Sequence, residues 1–306
     1  GAVGRELLGL LENRAVSSIR VCASERSVGR DLPFRGGTLT VEPSTPEAFD
    51  GAELVYFCAD KASSAALAPE AVKRGCCVVD NSSAFRMDAR CPLVVPEVNG
   101  AVLDTFERPG IVANPNCSTI IALMALSPLR ALGRVERVTA CTYQAISGAG
   151  AAAMDELEAQ GRAWAVGEEL PMDVMGRQVV FNCFTHESPK GEDGTNEEER
   201  KLLNETRRIW NDETVRVSAT CVRVPVLRAH SEALHVEFDR AVEPAEAEAL
   251  LAAAPGVTLD PDPQPINAAG GDDVLVGRIR RDAGVEGNRG LALFVCGDQL
   301  RKGAAL

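Results

Sequence analysis

The chain has no clustered basic run. Its 306 residues carry 32 Lys and Arg against 44 Asp and Glu, a formal net charge of −12, and the cations are scattered. Binding a phosphate backbone takes a basic face, so no nucleic-acid partner is expected. The acidity reads as a contribution to solubility. No apolar stretch approaches the roughly 18 residues that cross a bilayer, so no membrane span is expected. The opening GAVGRELL has neither the charged start nor the apolar core of a secretory leader. Paired CxxC motifs are missing, and only 3 His occur, none spaced with a Cys pair, so no metal site is expected. There is no fixed-period repeat and no low-complexity tract.

Cysteine, by contrast, is plentiful: 10 residues, several inside apolar runs such as LVYFC and VTACTY. Scattered this way, they read as small buried hydrophobes in a reducing, cytoplasmic compartment. At 45% hydrophobic the chain can bury the cores of two domains. Residues 5–14 read as a helix, 17–24 and 51–60 as strands, 63–75 as a helix and 76–82 as a third strand. PLVVPEVN and GIVANPN read as further short strands. Strands alternating with helices predict a parallel, doubly wound α/β domain, whose ligands bind beyond the carboxyl ends of the strands. After residue 117 the pattern changes. A helix is predicted over 118–132, then long β-rich runs with fewer helices between them, which predict an α+β domain with a mixed sheet. The polar loop FTHESPKGEDGT belongs at a surface or a mouth. The expected division is residues 1–116 with 289–306 as one domain and 117–288 as the other.

Within ANPNCSTI, Asn116 can cap a helix that starts at Cys117 or Ser118. A thiol on that first turn faces free backbone N–H groups and the positive end of the helix dipole, which lower its pKa. The same N–H groups can hold an oxyanion. The alternative is that Cys117 is a packing residue, as most free cysteines are. Of the possible bases, His186 lies in the polar loop and His235 alternates within a strand. His230 sits at a junction between two strands, which suits a site position.

ANPNCSTI, TYQAISGAG and CVRVPVLRAHSEALHVEF occur in this order, with VVDNSSAFRMD, TNEEERKLLNET and GDQLRKGAAL around them. Together they resemble the aspartate-semialdehyde dehydrogenase family in its bacterial form, over essentially the whole chain. The resemblance implies a Rossmann-like nucleotide domain followed by a catalytic domain. It also implies NADPH-dependent conversion of aspartyl phosphate to aspartate semialdehyde, with release of inorganic phosphate, in a homodimer. By matching motif, Cys117 resembles the thiolate that forms a thioacyl-enzyme, Gln144 the residue that orients it, and His230 the general acid/base. Arg223 resembles the arginine for the substrate α-carboxylate. Glu198 resembles the acid for its amine, Lys201 and Arg86 resemble the phosphate cations, and Asn116 flanks the substrate.

For the cofactor, the resemblance implies NADP. The family's glycine loop reads GxxGxxG after a strand. Here Gly1, Ala2, Val3 and Gly4 match its latter part, and the strand with the loop's start is expected to lie upstream of Gly1. Ser24, Arg26 and Ser27, in ASERS, match the segment that holds the 2′-phosphate, and no acidic residue ends that strand. Asn81, Ser82, Ser147, Gly148 and Gly150 are expected on the nicotinamide side, and Gln299 stands where the family commonly has Asn. Two rivals remain open at this level. One is an N-acetylglutamyl-phosphate reductase, against which the carboxylate at Glu198 argues, since an acylated amine has no positive charge. The other is a non-catalytic fragment or paralogue.

Overall fold

The structure is a computed structural model and describes residues 1–305. Helix α1 covers Ala2–Leu11, an amphipathic stretch that begins and ends earlier than the predicted 5–14. Strand β1, Cys22–Ala23, is much shorter than the predicted 17–24. A hairpin unforeseen in the sequence follows, of β2 (Asp31–Phe34) and β3 (Gly37–Thr40), turning through Arg35 and Gly36, both at positive φ. Strand β4, Glu42–Pro43, pairs in parallel with β1. Then β5 (Leu54–Phe57), helix α2 (Lys61–Lys73) and β6 (Cys77–Asp80) form a parallel crossover, and β7 (Ile111–Ala113) adds beyond β6. Asp60 caps α2, accepting from the Ala62 and Ser63 N–H groups at 3.0 Å. Ala68 and Ala71 pack with Phe57 and Val78 in a small core.

PLVVPEVN is not a strand. Pro96 opens the short helix α3, Pro96–Asn99, and Leu93 makes only an isolated bridge to Ala113. Proline lacks the ladder donor, and its fixed φ suits the first helical position.

Helix α4, Cys117–Leu129, is buried along nearly its whole length. A helix that is apolar all round belongs inside, and this one forms the middle of the main core. Against it lies a seven-stranded mixed sheet. Its members are β8 (Val135–Gln144), β9 (Phe184–Thr185), β10 (Arg216–Arg223), β11 (His230–Phe238), β12 (Val257–Leu259), β13 (Val274–Arg281) and β14 (Gly290–Gly297), in the order β12-β13-β14-β11-β8-β10-β9. Helix α5 (Ala151–Val166) follows β8, and α6 (Glu197–Trp210) precedes β10. Helices α7 (Pro244–Ala252) and α8 (Pro265–Ala268) lie between β11 and β13. Helices α4, α6 and α7 cover one sheet face. The other face is only partly covered: Tyr143 is exposed, 6.2 Å from the Phe294 ring.

The segment expected to rejoin the first domain, 289–306, does so only in part. Strand β14 lies between β13 and β11, deep in the second sheet, because its run LALFVC is apolar on both faces and suits a central strand. The turn that follows, Arg301–Ala305, does reach back. Arg301 pairs with Glu6 of α1 at 3.1 Å, and the Gly303 carbonyl accepts from Asn114 at 2.7 Å.

Candidate active site

Alternation along the strands decides which side chains share the helix-covered face. Gln144 ends β8 and is paired in register with Arg223, which ends the parallel β10. Antiparallel β11 begins at His230 beside the same end. All three are buried. The start of α4 is held at this end of the sheet, so the sequence-predicted catalytic residues converge there.

The turn before Cys117 is fixed on every side. Asn116 has extended backbone, and its Oδ1 accepts from the Ser118 and Thr119 N–H groups at 3.0 and 3.3 Å, the capping predicted from sequence. Its Nδ2 donates to Glu198 at 2.9 Å, and its backbone N–H donates to Glu205 at 2.6 Å. The C-terminal turn closes over the thiol: a Cβ on Gly303 would come within 2.6 Å of the Cys117 Cβ. Burial, reinforced by the Glu198 carboxylate, pushes the Cys117 thiol up to about 12, although Arg223 and Arg86 oppose the rise. Burial thus opposes the lowering that the cap and the dipole supply.

His230 is buried and neutral. Burial first, then the Arg223 charge, holds its pKa at about 3. Its Nδ1 accepts from the Ala145 N–H at 3.0 Å, which leaves the ring proton on Nε2. That Nε2 has no partner among the described residues. A Cβ on Gly148 would lie 3.3 Å from His230 Nε2 and 2.7 Å from Arg223 Nη1, so only glycine leaves this space open.

Arg223 donates to the Ala145 carbonyl at 3.1 Å and, through Nε and Nη2, to Glu187 at 2.8–3.2 Å. A carboxylate of the mouth loop thus occupies the guanidinium fork. Gln144 Nε2 donates to Glu198 at 3.1 Å. Burial works against the Glu198 charge, but Lys201, with Nζ 3.2 Å away, His186 and the amides of Asn116 and Gln144 hold its pKa down at about 2. Arg86 donates to the carbonyls of Asn114 and Asn81, both at 2.9 Å, and to Glu205 at 3.1 Å.

The cofactor candidates come from several segments. Gly1, Ala2, Val3 and Gly4 form the N-cap and first turn of α1. Ser24, Arg26 and Ser27 sit on a short turn directly after β1, with Ser24 and Arg26 exposed. Asn81 follows the carboxyl end of β6; its Nδ2 reaches Cys58 at 3.5 Å, while its buried Oδ1 has no partner among the described residues. Ser82 Oγ donates to Asp80 at 2.8 Å. Gly150, at φ +99°, forms the N-cap of α5. Gln299 is buried with both ends of its amide used: Oε1 accepts from the Ala229 N–H at 3.0 Å and Nε2 donates to Ser147. It ties the turn at 146–149, which carries Ser147 and Gly148, to the residue before His230.

Sequence reasoning missed Glu187 and Glu205. For Glu205 a signal existed: residues 198, 202, 205 and 209 form one helical stripe, and two of the four are Glu. For Glu187 nothing local marked the contact, which spans 36 residues.

A thiol on a helix start, ringed by arginines and a fixed carboxylate and set beside a nucleotide-type parallel sheet, defines a two-domain dehydrogenase acting through a cysteine. Residues 1–106 match the family described as semialdehyde dehydrogenase, NAD binding domain, and 126–302 the one described as semialdehyde dehydrogenase, dimerisation domain. The aspartate-semialdehyde dehydrogenase of Aquifex aeolicus is 45% identical over 315 residues, covering 100% of this chain and 92% of that protein. Aspartate semialdehyde dehydrogenase II of Vibrio cholerae, solved in complex with ASA, superposes with a TM-score of 0.95 at 38% identity, over 100% of this chain and 92% of that one. The Candida albicans enzyme, solved with NADP, gives 0.74 at 25% identity, over 100% and 92%. The chain belongs to the aspartate-semialdehyde dehydrogenase family.

Proposed function

We propose that the protein reduces L-aspartyl 4-phosphate to L-aspartate 4-semialdehyde with NADPH and releases inorganic phosphate, and that Cys117 carries the acyl group. The observation that carries this reading is the charge pattern around one thiol. The substrate has a carboxylate, an ammonium and a phosphate. Arg223 faces the first, Glu198 the second, and Arg86 with Lys201 the third.

Cys117 Sγ attacks the acyl carbon, the bond to the phosphate oxygen breaks, and the departing phosphate takes the thiol proton. Arg86 and Lys201 stabilise the charge on that leaving group. The Nε2–H of His230 donates to the oxygen of the tetrahedral intermediate, which is negative in the transition state. A base role at Nε2 would need the other tautomer, with Nδ1–H pressed against the Ala145 N–H. His230 therefore works as a neutral donor, a narrower role than general acid/base. Gln144 and Asn116 hold Glu198 where the ammonium docks. NADPH, when bound, supplies the hydride that reduces the thioester. Collapse of the resulting thiohemiacetal frees the aldehyde and the Cys117 thiolate, which regains a proton.

The residues fit that cofactor. The open first turn of α1 offers N–H donors, Asn81 Oδ1 an unpartnered acceptor and Gly148 room, the kinds of group a dinucleotide needs. Ser24, Arg26 and Ser27 would receive a 2′-phosphate. We place the domain boundary at Asn116/Cys117, with only 301–305 returning, and pair two copies through the partly covered sheet face in the cytoplasm. Mixing the protein with aspartyl phosphate in the absence of NADPH should leave an aspartyl adduct on the Cys117 peptide by mass spectrometry. An adduct on another cysteine, or none, would reject the assignment.

A further inference from the structure

Glu205 is a carboxylate with 2% of its side chain exposed, placed between two parts of the site that belong to different segments. One oxygen accepts from Arg86 Nη1 at 3.1 Å, and the other accepts from the Asn116 N–H at 2.6 Å. Arg86 lies on the loop after β6, and Asn116 is the residue before the nucleophile. Neither oxygen faces solvent, so the carboxylate is wholly committed to this bridge. Burial pushes the Glu205 carboxyl up, and Arg86 with the Asn116 N–H pulls it back. A buried carboxylate costs several kcal/mol in solvation, so an apolar residue would be the cheaper occupant if packing were its only task.

The bridge also fixes the orientation of the guanidinium. Arg86 spends one N–H on Asn114, one on Asn81 and one on Glu205. Of its five donors one remains on each terminal nitrogen, a pair suited to two oxygens of a phosphate. The same helix grips Asn116 twice, through Glu205 at the backbone and Glu198 at the side chain. The cap of the nucleophile's helix and the phosphate arginine are therefore referred to one rigid element, α6.

We propose that Glu205 is a positioning residue which locks the Arg86 guanidinium to the nucleophile turn, holding the phosphate subsite and Cys117 at one fixed separation. This rests on the reading of Arg86 as a phosphate ligand. Near-attack geometry tolerates little error, and a shift of about 1 Å can cost about a hundredfold in rate. Glu205→Gln has a single amide oxygen for the two donors: where it accepts from the Asn116 N–H, the NH2 group faces Arg86.

The experiment is steady-state kinetics in the phosphorolytic direction, with semialdehyde, NADP and inorganic phosphate varied separately. Glu205→Gln should raise KM for phosphate about tenfold, the scale of one charge-assisted hydrogen bond. KM for the semialdehyde and for NADP should stay within about twofold. Arg86→Gln should raise KM for phosphate at least as much, and the double variant should be no worse than Arg86→Gln alone. If Arg86→Gln raises KM for phosphate while Glu205→Gln leaves it unchanged, or raises every KM equally, the positioning role is wrong and the phosphate reading stands. If Arg86→Gln leaves KM for phosphate unchanged, both fall. Should Glu205→Gln not fold, Glu205→Asp carries the same comparison: its shorter carboxylate cannot span both partners, and a rise confined to phosphate supports the lock while a uniform loss overturns it.

Discussion

Replacing Glu187 by Gln removes the carboxylate that fills the Arg223 fork. The two groups meet at 2.8 Å, with a second contact through Nε at 3.1 Å. On the proposed reading of Arg223, the substrate carboxylate would compete with Glu187 for the same donors. Side-chain exposure is 4% for Arg223 and 35% for Glu187, which sets the pair between two regimes. An exposed ion pair contributes about 0.2–1 kcal/mol, and a hydrogen bond to a buried charge about 1.5–3. Solvent reaches the Glu187 side, so a discounted figure of about 1 kcal/mol is appropriate, or about fivefold in an equilibrium constant.

Apparent affinity scales with the fraction of protein whose fork is free. Glu187→Gln should therefore tighten semialdehyde binding about fivefold and leave KM for NADP and phosphate unchanged. Calorimetric titration of the semialdehyde into proteins that also carry Cys117→Ser measures this without thiohemiacetal formation. Thermal stability of the ligand-free variant should fall, since Arg223 loses its partner, and added semialdehyde should restore more stability than in the parent. The opposite sign would refute the reasoning. If Glu187 only props the arginine in place, its removal lets the fork collapse and binding weakens.

Three other outcomes test the electrostatics. Because the Cys117 thiol is pushed up to about 12, its alkylation by iodoacetamide in the ligand-free protein should keep accelerating with pH through about pH 9; a plateau below about pH 8 would show a resting thiolate. Glu198 is held at about 2, below its unfolded value, so it contributes stability above the ordinary carboxyl range that is lost as pH falls from about 4.3 toward 2. Glu198→Gln should flatten that part of the melting-temperature profile, and an unaltered acid limb would contradict the assignment. His230→Gln, which can present an N–H, should keep at least about tenfold more kcat than His230→Ala, whereas equal loss would point to proton transfer at the ring.

The sequence carried the local features well and the non-local ones poorly. Asn116 could be read as a cap because a helix start is written in a few adjacent residues, and the structure has that cap. The mixed second sheet was legible from long β-rich runs, whereas the β2–β3 hairpin hid in a short stretch of weak alternation. PLVVPEVN misled because valine content outweighed the two prolines. The thiol's surroundings were hidden for a related reason. A cap and a dipole are properties of one turn, but the burial that opposes them involves the turn at Gly303, far away in sequence.

Helix α6 shows where reading one element at a time fails. Its box is plain in TNEEER: Asn196 accepts from the Glu199 N–H at 2.9 Å, and Glu199 returns the bond at 2.9 Å. Taken alone, Glu198 and Lys201 look like a solvated pair three residues apart. Yet 198, 202, 205 and 209 form the buried stripe, and a stripe reading Glu, Leu, Glu, Ile cannot rest on an apolar core unless something satisfies its carboxylates. Those partners are Asn116, Gln144 and Lys201 for Glu198, and Arg86 with the Asn116 N–H for Glu205. Two acids on the inward face of one amphipathic helix are thus a demand for cations and donors from elsewhere in the chain. Here that demand is met by the very groups that hold the nucleophile and the expected phosphate site.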